Sequence, residues 1–175
     1  MNHEMLSDFI RRATADVFST MLGVELAPGD ASTDNGADDR NDGVVSLIGM
    51  AGAWAGTGSI TCSPAVACRV CSLMLMSEFA AVNDDVLDAV AELTNMIIGG
   101  VKNELEPHIG PLGLSIPTVV YGKNFTTRSA GKTEWTVLRF PWDGESLTVR
   151  MFMAPAEKTA HSHPHAAGHQ YALEV

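Results

Sequence analysis

Between residues 88 and 102 the chain sets a carboxylate, a second carboxylate, a carboxamide, a glycine and an ammonium three or four positions apart, as Asp88, Glu92, Asn95, Gly99 and Lys102. On a helix that turns about 100° per residue, these five fall within about 40° of one line, and Val86, Val90, Leu93, Ile97 and Val101 fall near the opposite side. The plain reading of such a stripe is a solvated face. Two features argue for more. A glycine costs about 1 kcal/mol relative to alanine inside a helix, and here Gly99 and Gly100 stand side by side. Asparagine is also a poor mid-helix residue, yet Asn95 offers a donor and an acceptor at a fixed height above the surface, beside the charge of Glu92. Glycine at 99 would remove bulk from that face where a partner could approach.

Other residue types with chemical potential read more simply. Cys68-x-x-Cys71 lies in an apolar run from Val66 to Met74 and is expected to be a pair of core thiols, since a zinc site needs two further ligands nearby. Asp88 and Glu92 as magnesium ligands, and His161, His163, His165 and His169 as a metal site, are the competing cation readings; the histidines fall in a tail without fixed geometry. Gly52, Gly56 and Gly58 lack the Gly-Lys-Ser/Thr ending of a phosphate loop and are expected at close packing or bulges.

The elements that must hold the stripe follow from periodicity. Leu6, Phe9, Ile10, Ala13, Val17 and Met21 form the core face of a helix over about 5–22, ended by Gly23. Residues 29–42 carry five aspartates and no bulky apolar side chain, and are expected to form a mobile surface loop. Two strands over 43–50 and 53–62 precede a buried helix capped by Ser63-Pro64. The helix with the stripe runs from about 84 to 105, capped by Asn83 or Asp84 and closed by Pro107 and Gly110. Strands are expected over 114–121, 134–140 and 145–153, the last two joined by Pro141-Trp142-Asp143-Gly144 as an antiparallel hairpin. The fold class is therefore α/β, a two-layer sandwich with a largely antiparallel sheet of about five strands under long helices. One domain covers 1–156, and a His-rich flexible tail covers 157–175.

Charge narrows the partners. Eleven Lys and Arg face 21 Asp and Glu, a formal net charge of −10, which would repel both a nucleic-acid backbone and an anionic membrane. No apolar stretch reaches about 18 residues, the N-terminal residues do not read as a signal peptide, and three cysteines suit a reducing compartment. A soluble, cytoplasmic protein is expected.

Taken in order, Asp88-x3-Glu92-x2-Asn95-Met96 with Gly99 and Lys102 resembles the Glu-x-x-Asn signature of the CheC, CheX and FliY phosphatases of bacterial chemotaxis. Residues 15–23 resemble the first helix of CheX-type domains, and residues 114–123 the strand after their motif helix. The first helix has no second Glu-x-x-Asn, which points to the single-motif CheX type; the acidic segment at 29–42 and the tail depart from the pattern. The resemblance implies a hydrolase that removes the aspartyl phosphate of a CheY-like response-regulator receiver domain, in chemotaxis or a related two-component pathway. It implies that Asn95 positions the attacking water, that Glu92 pairs with the receiver's active-site lysine, and that Asp88 supports them. It further implies no cofactor of the chain's own, Mg²⁺ on the receiver, and a homodimer paired through sheet edges. The alternative is a non-catalytic adaptor that docks on a receiver or a flagellar-switch protein with the same face.

Overall fold

The computed structural model describes residues 2–34, 39–127 and 134–156, so the expected tail lies outside the described residues. The Asn2 side chain accepts the Met5 N–H at 2.8 Å and starts helix α1, His3–Val17, which buries Leu6, Phe9, Ile10, Ala13 and Val17. The expected helix does not continue unchanged to residue 22. Phe18–Leu22 form a π turn, and Gly23 ends it in the left-handed region with φ 64°. The core position expected at Met21 passes to Leu22, because the wider turn places five residues where the α pitch would place four.

Seven strands form one antiparallel sheet: β1 Asp30–Asp34, β2 Asp39–Gly52, β3 Trp54–Cys62, β4 Leu112–Leu114, β5 Thr118–Thr127, β6 Trp135–Trp142 and β7 Glu145–Pro155. Their order is β1-β6-β7-β3-β2-β4, with β5 also paired to β2. The fold class is the expected one and the strand number is larger. The acidic segment supplies the first correction: residues 30–34 pair with β6 in register from Asp30 opposite Arg139 to Asp34 opposite Trp135, and residues 39–42 begin β2. Backbone hydrogen bonds build such an edge strand without apolar side chains, and Arg150 holds Asp34 at 2.8 Å. The second correction splits the strand expected over 114–121 into β4 and β5. The predicted hairpin joins β6 to β7, with Asp143 and Gly144 both at positive φ, 51° and 79°, as a two-residue type I′ turn requires.

All three helices cover one sheet face. Ser63 caps α2, Pro64–Leu75, and Asn83 caps α3, Asp84–Ile109, by accepting the Val86 N–H at 3.0 Å. Helix α3 runs past its expected end: it accommodates Pro107 in its last turn, and Gly110 closes it on the Glu106 carbonyl at 2.9 Å. Glycine is needed where α3 meets the sheet: a Cβ on Gly58 of β3 would lie 2.7 Å from Ile98 Cδ1. The approach is close again where α3 meets α1, since a Cβ on Gly100 would stand 3.1 Å from that of Ala13 and one helix would have to give by a few tenths of an ångström.

Candidate active site

The two faces of α3 divide as the periodicity requires. Val86, Val90, Leu93, Ile97 and Val101 are fully buried, and they seat the helix on the sheet. Each fully buried Val, Leu or Ile contributes about 1.5–3 kcal/mol to folding, so the helix is held firmly without help from its outer face. On that outer face Asp88, Glu92 and Asn95 are exposed. Glu92 and Asn95 sit three apart, with Cβ atoms about 5–6 Å apart on such a surface. Among the described residues, neither side chain makes a hydrogen bond or an ion pair, so a donor, an acceptor and a full negative charge all point outward unspent.

The stripe changes character after Asn95. Gly99 is half-buried, and a Cβ there would meet Leu114 Cδ1 at an ordinary 3.9 Å, so this glycine opens little space. Its neighbour Gly100, turned toward α1, is the more tightly packed of the two. Lys102 is engaged too, pairing with Glu106 at 2.7 Å, while the Glu106 carboxylate accepts the Leu112 N–H at 2.9 Å. These contacts hold the Glu106 carboxyl below its ordinary range, the Leu112 bond most of all. Helix α1 runs antiparallel beside this half of α3: Phe9 stacks on His108 with ring centroids 5.7 Å apart, and Arg12 ion-pairs with Glu104, its Nε 3.1 Å from a carboxylate oxygen.

The site is a helix face rather than a cleft. A groove of about 610 Å³ between α2, the connection at 79–82 and Tyr121 is lined by none of the five stripe residues. An outward amide and carboxylate on a rigid ridge suit insertion into the pocket of another macromolecule. Among the described residues, no group of three or more His, Cys, Asp or Glu could hold a metal ion, and no helix is long and apolar enough to cross a membrane.

The profile described as chemotaxis phosphatase CheX matches residues 44–140, the region that contains the stripe. The chain belongs to the CheX family. The CheY-P phosphatase CheX of Thermotoga maritima is 30% identical over 123 residues, covering 69% of this chain and 76% of that one. Chemotaxis protein CheX of Vibrio vulnificus superposes with a TM-score of 0.76 at 28% identity, over 86% of this chain and 99% of that one. CheX of Desulfovibrio desulfuricans gives 0.76 at 26% identity over the same shares.

Within this CheX-family chain the thiols are structural. Cys62, Cys68 and Cys71 are buried and unpaired; burial pushes Cys62 up to about 12 and raises the other two, so none is a ready thiolate. The exposed pair is legible in the sequence; the buried Thr94 hydroxyl between its members, bonded at 2.8 Å to the Val90 carbonyl, and the Arg12–Glu104 link of the far half of the helix to α1 are not. Thr94 carries no recognisable signal, and the ion pair spans 92 positions of sequence.

Proposed function

We propose that this chain hydrolyses the aspartyl phosphate of a CheY-like receiver domain in a cytoplasmic two-component pathway, chemotaxis or a relative of it. The observation that carries the reading is the exposed, unpartnered Glu92–Asn95 pair on a helix whose opposite face is wholly buried. A CheX relative named as a CheY-P phosphatase, 30% identical, supports it.

In the docked complex the Asn95 carboxamide enters the receiver's active site. Its carbonyl accepts from the attacking water and its NH₂ donates, which aligns the water with the phosphorus–oxygen bond to be broken. Glu92 pairs with the receiver's active-site lysine and fixes the depth of insertion. The receiver's own Mg²⁺ supplies charge compensation at the phosphoryl oxygens, so this chain needs to contribute position more than charge. Asp88, one turn before Glu92, adds negative charge at the rim. Lys102 stays with Glu106 and braces the helix.

A homodimer is part of the proposal. Both edges of β6 and β7 are occupied, so of the last three expected strands only the one that became β4 and β5 borders an open sheet edge. There Ile116 is 88% exposed and Val120 and Tyr121 are also exposed, while the opposite edge, β1, carries Asp30 and Asp34. Apolar side chains at an open edge favour pairing and charges oppose it. Light scattering should give twice the chain mass at tens of micromolar, and a monomer would overturn the dimer.

Activity is tested by mixing the chain, at one-tenth the concentration, with phosphorylated receivers and timing phosphate loss. Complete loss at an accelerated rate is expected. An effect that stops at the amount of complex formed would favour the adaptor.

A further inference from the structure

The groove beside α2 has no part in the phosphatase reading. Its volume of about 610 Å³ falls within the range of ligand sites, about 300–1,000 Å³. One wall is a row on α2, where Ala65, Cys68 and Ser72 recur at helical spacing. Leu75, 53% exposed, continues that row, and Met76 follows it, 94% exposed and in the left-handed region with φ 49°. Helices that end in this conformation usually set glycine there. Here two large apolar side chains extend an already apolar groove into water, and contiguous apolar surface of that kind marks an interaction site where a single exposed residue does not.

The other walls are Tyr121 and the connection at 79–82. Tyr121 stands opposite the buried Val44 in the β2–β5 register, so its ring lies on the helix side of the sheet. In the connection the Phe79 N–H bonds to Ser72 Oγ at 3.1 Å, whereas among the described residues the N–H and C=O groups of Ala80, Ala81 and Val82 make no hydrogen bond. The Cys68 thiol, 7% exposed and likewise without a bond, borders the same space. Charge at the rim is one-sided. Glu78 precedes the connection and Asp84 and Asp85 follow it, all exposed and none in an ion pair among the described residues. Arg69, on the lining, is already paired with Asp143 and lies over the Trp142 ring at 5.5 Å.

We propose that this groove binds an extended peptide segment of another protein, one whose side chains alternate between apolar and basic. An extended main chain has free N–H and C=O groups to pair with those at 80–82, which a helix, its own groups already paired, does not offer. Its alternate side chains point to opposite sides. One set reaches the apolar lining of Pro64, Cys68, Phe79 and Tyr121, and the other meets the carboxylates of Glu78, Asp84 and Asp85. A net charge of −10 draws such a segment in from a distance. This surface shares no residue with the Glu92–Asn95 face and does not depend on the phosphatase reading. It would anchor a partner while that face stays free.

The probe is a fluorescein-labelled peptide of four Val-Lys repeats, titrated with the full chain and read by anisotropy beside Ser-Lys and Val-Glu counterparts. The Val-Lys peptide should bind one per chain, and each counterpart should bind more weakly by about tenfold. Ala65→Trp fills the groove from an exposed position, and Glu78→Lys reverses charge at the rim. Each should weaken binding by about tenfold, with the thermal midpoint at the wild-type value. Hydrogen exchange should slow at residues 80–82 in the complex, and Asn95→Ala should bind the peptide as the wild type does. A Val-Lys peptide that does not saturate, equal binding by Ala65→Trp or of the Val-Glu peptide, or protection confined to other residues would overturn the proposal. A bound peptide that is helical by circular dichroism would overturn it too. So would light scattering in which Ala65→Trp turns a dimer into a monomer, since a second copy would then be the occupant. None of these readouts needs a phosphorylated receiver, so the phosphatase reading stands or falls separately.

Discussion

Helix α3 carries one polar stripe with two different halves. In the first, Asp88, Glu92 and Asn95 reach solvent and their side chains make no hydrogen bond or ion pair within the described residues. In the second, Lys102 and Glu106 close on each other and on the Leu112 backbone, and Glu104 is tied to Arg12 of α1. The residue types are much the same, and a helical wheel cannot separate them. What separates them is the neighbourhood: the second half has α1 and β4 beside it to satisfy its polar groups, whereas among the described residues nothing packed on the first half offers a polar partner to Asp88, Glu92 or Asn95. Groups with partners inside the chain serve the fold, and groups left without them are available to another protein.

That contrast is open to direct attack. The largest effect is expected at Asn95. If its amide orients the water, the contact matters chiefly in the transition state, and Asn95→Ala should lower kcat by about 100-fold or more, the scale of a lost positioning group. Binding to a beryllofluoride-loaded receiver should change little. Wild-type turnover in Asn95→Ala would break the proposed role, and the comparison would lose its functional half.

Glu92 should fail differently. Its ion pair with the receiver's lysine exists in the docked ground state, so Glu92→Ala should weaken binding by about 1–3 kcal/mol, as for a charge-assisted hydrogen bond. Because Glu92 is exposed and without a partner in the fold, denaturant melts should move by no more than about 0.5 kcal/mol. A destabilised Glu92→Ala with unaltered binding would place Glu92 with the structural half of the stripe.

These predictions mark how far the residues alone could be read. The faces of α3 are legible because buried positions at 86, 90, 93, 97 and 101 and exposed ones at 88, 92 and 95 recur at the α pitch. The same assumption of pitch misplaced Met21, since nothing in Phe18–Leu22 announces a π turn. Strand β1 was illegible for another reason: its pairing partner is β6, about a hundred residues away, and backbone hydrogen bonds to a distant strand leave no periodicity in Asp30–Asp34. The two glycines of α3 stand side by side in the sequence, and only the approach of Ala13 tells which one is the more tightly packed.

Those glycines give a smaller and sharper test. Gly100→Leu must push α1 away from α3 and should destabilise the fold by about 1–3 kcal/mol, the range for overpacking. Gly99→Ala meets only Leu114 at van der Waals distance and should gain up to about 1 kcal/mol from helix propensity. Chemical denaturation of the two single variants reads both. If Gly99→Ala also leaves turnover intact, the bare backbone at 99 is dispensable for docking; a loss of receiver binding in that variant would return Gly99 to the functional half.

The smallest effect belongs to the paired half, at Glu106, and it has a definite sign in pH. The Leu112 N–H and then the Lys102 ammonium hold its folded-state carboxyl below the ordinary value of 4.5, so the native state binds a proton less readily than the unfolded chain does. The stabilisation is therefore fully present above about 4.5 and is lost as pH falls through the lowered folded value. Glu106→Gln can still accept the Leu112 N–H but carries no charge for Lys102, so it isolates the electrostatic part. Urea melts should show the variant slightly less stable than wild type at neutral pH, with the gap closing on acidification and narrowing in high salt as expected for a half-buried surface ion pair. No pH-dependent gap at Glu106 would mean that its contacts with Leu112 and Lys102 do not serve the fold as the second half of the stripe requires.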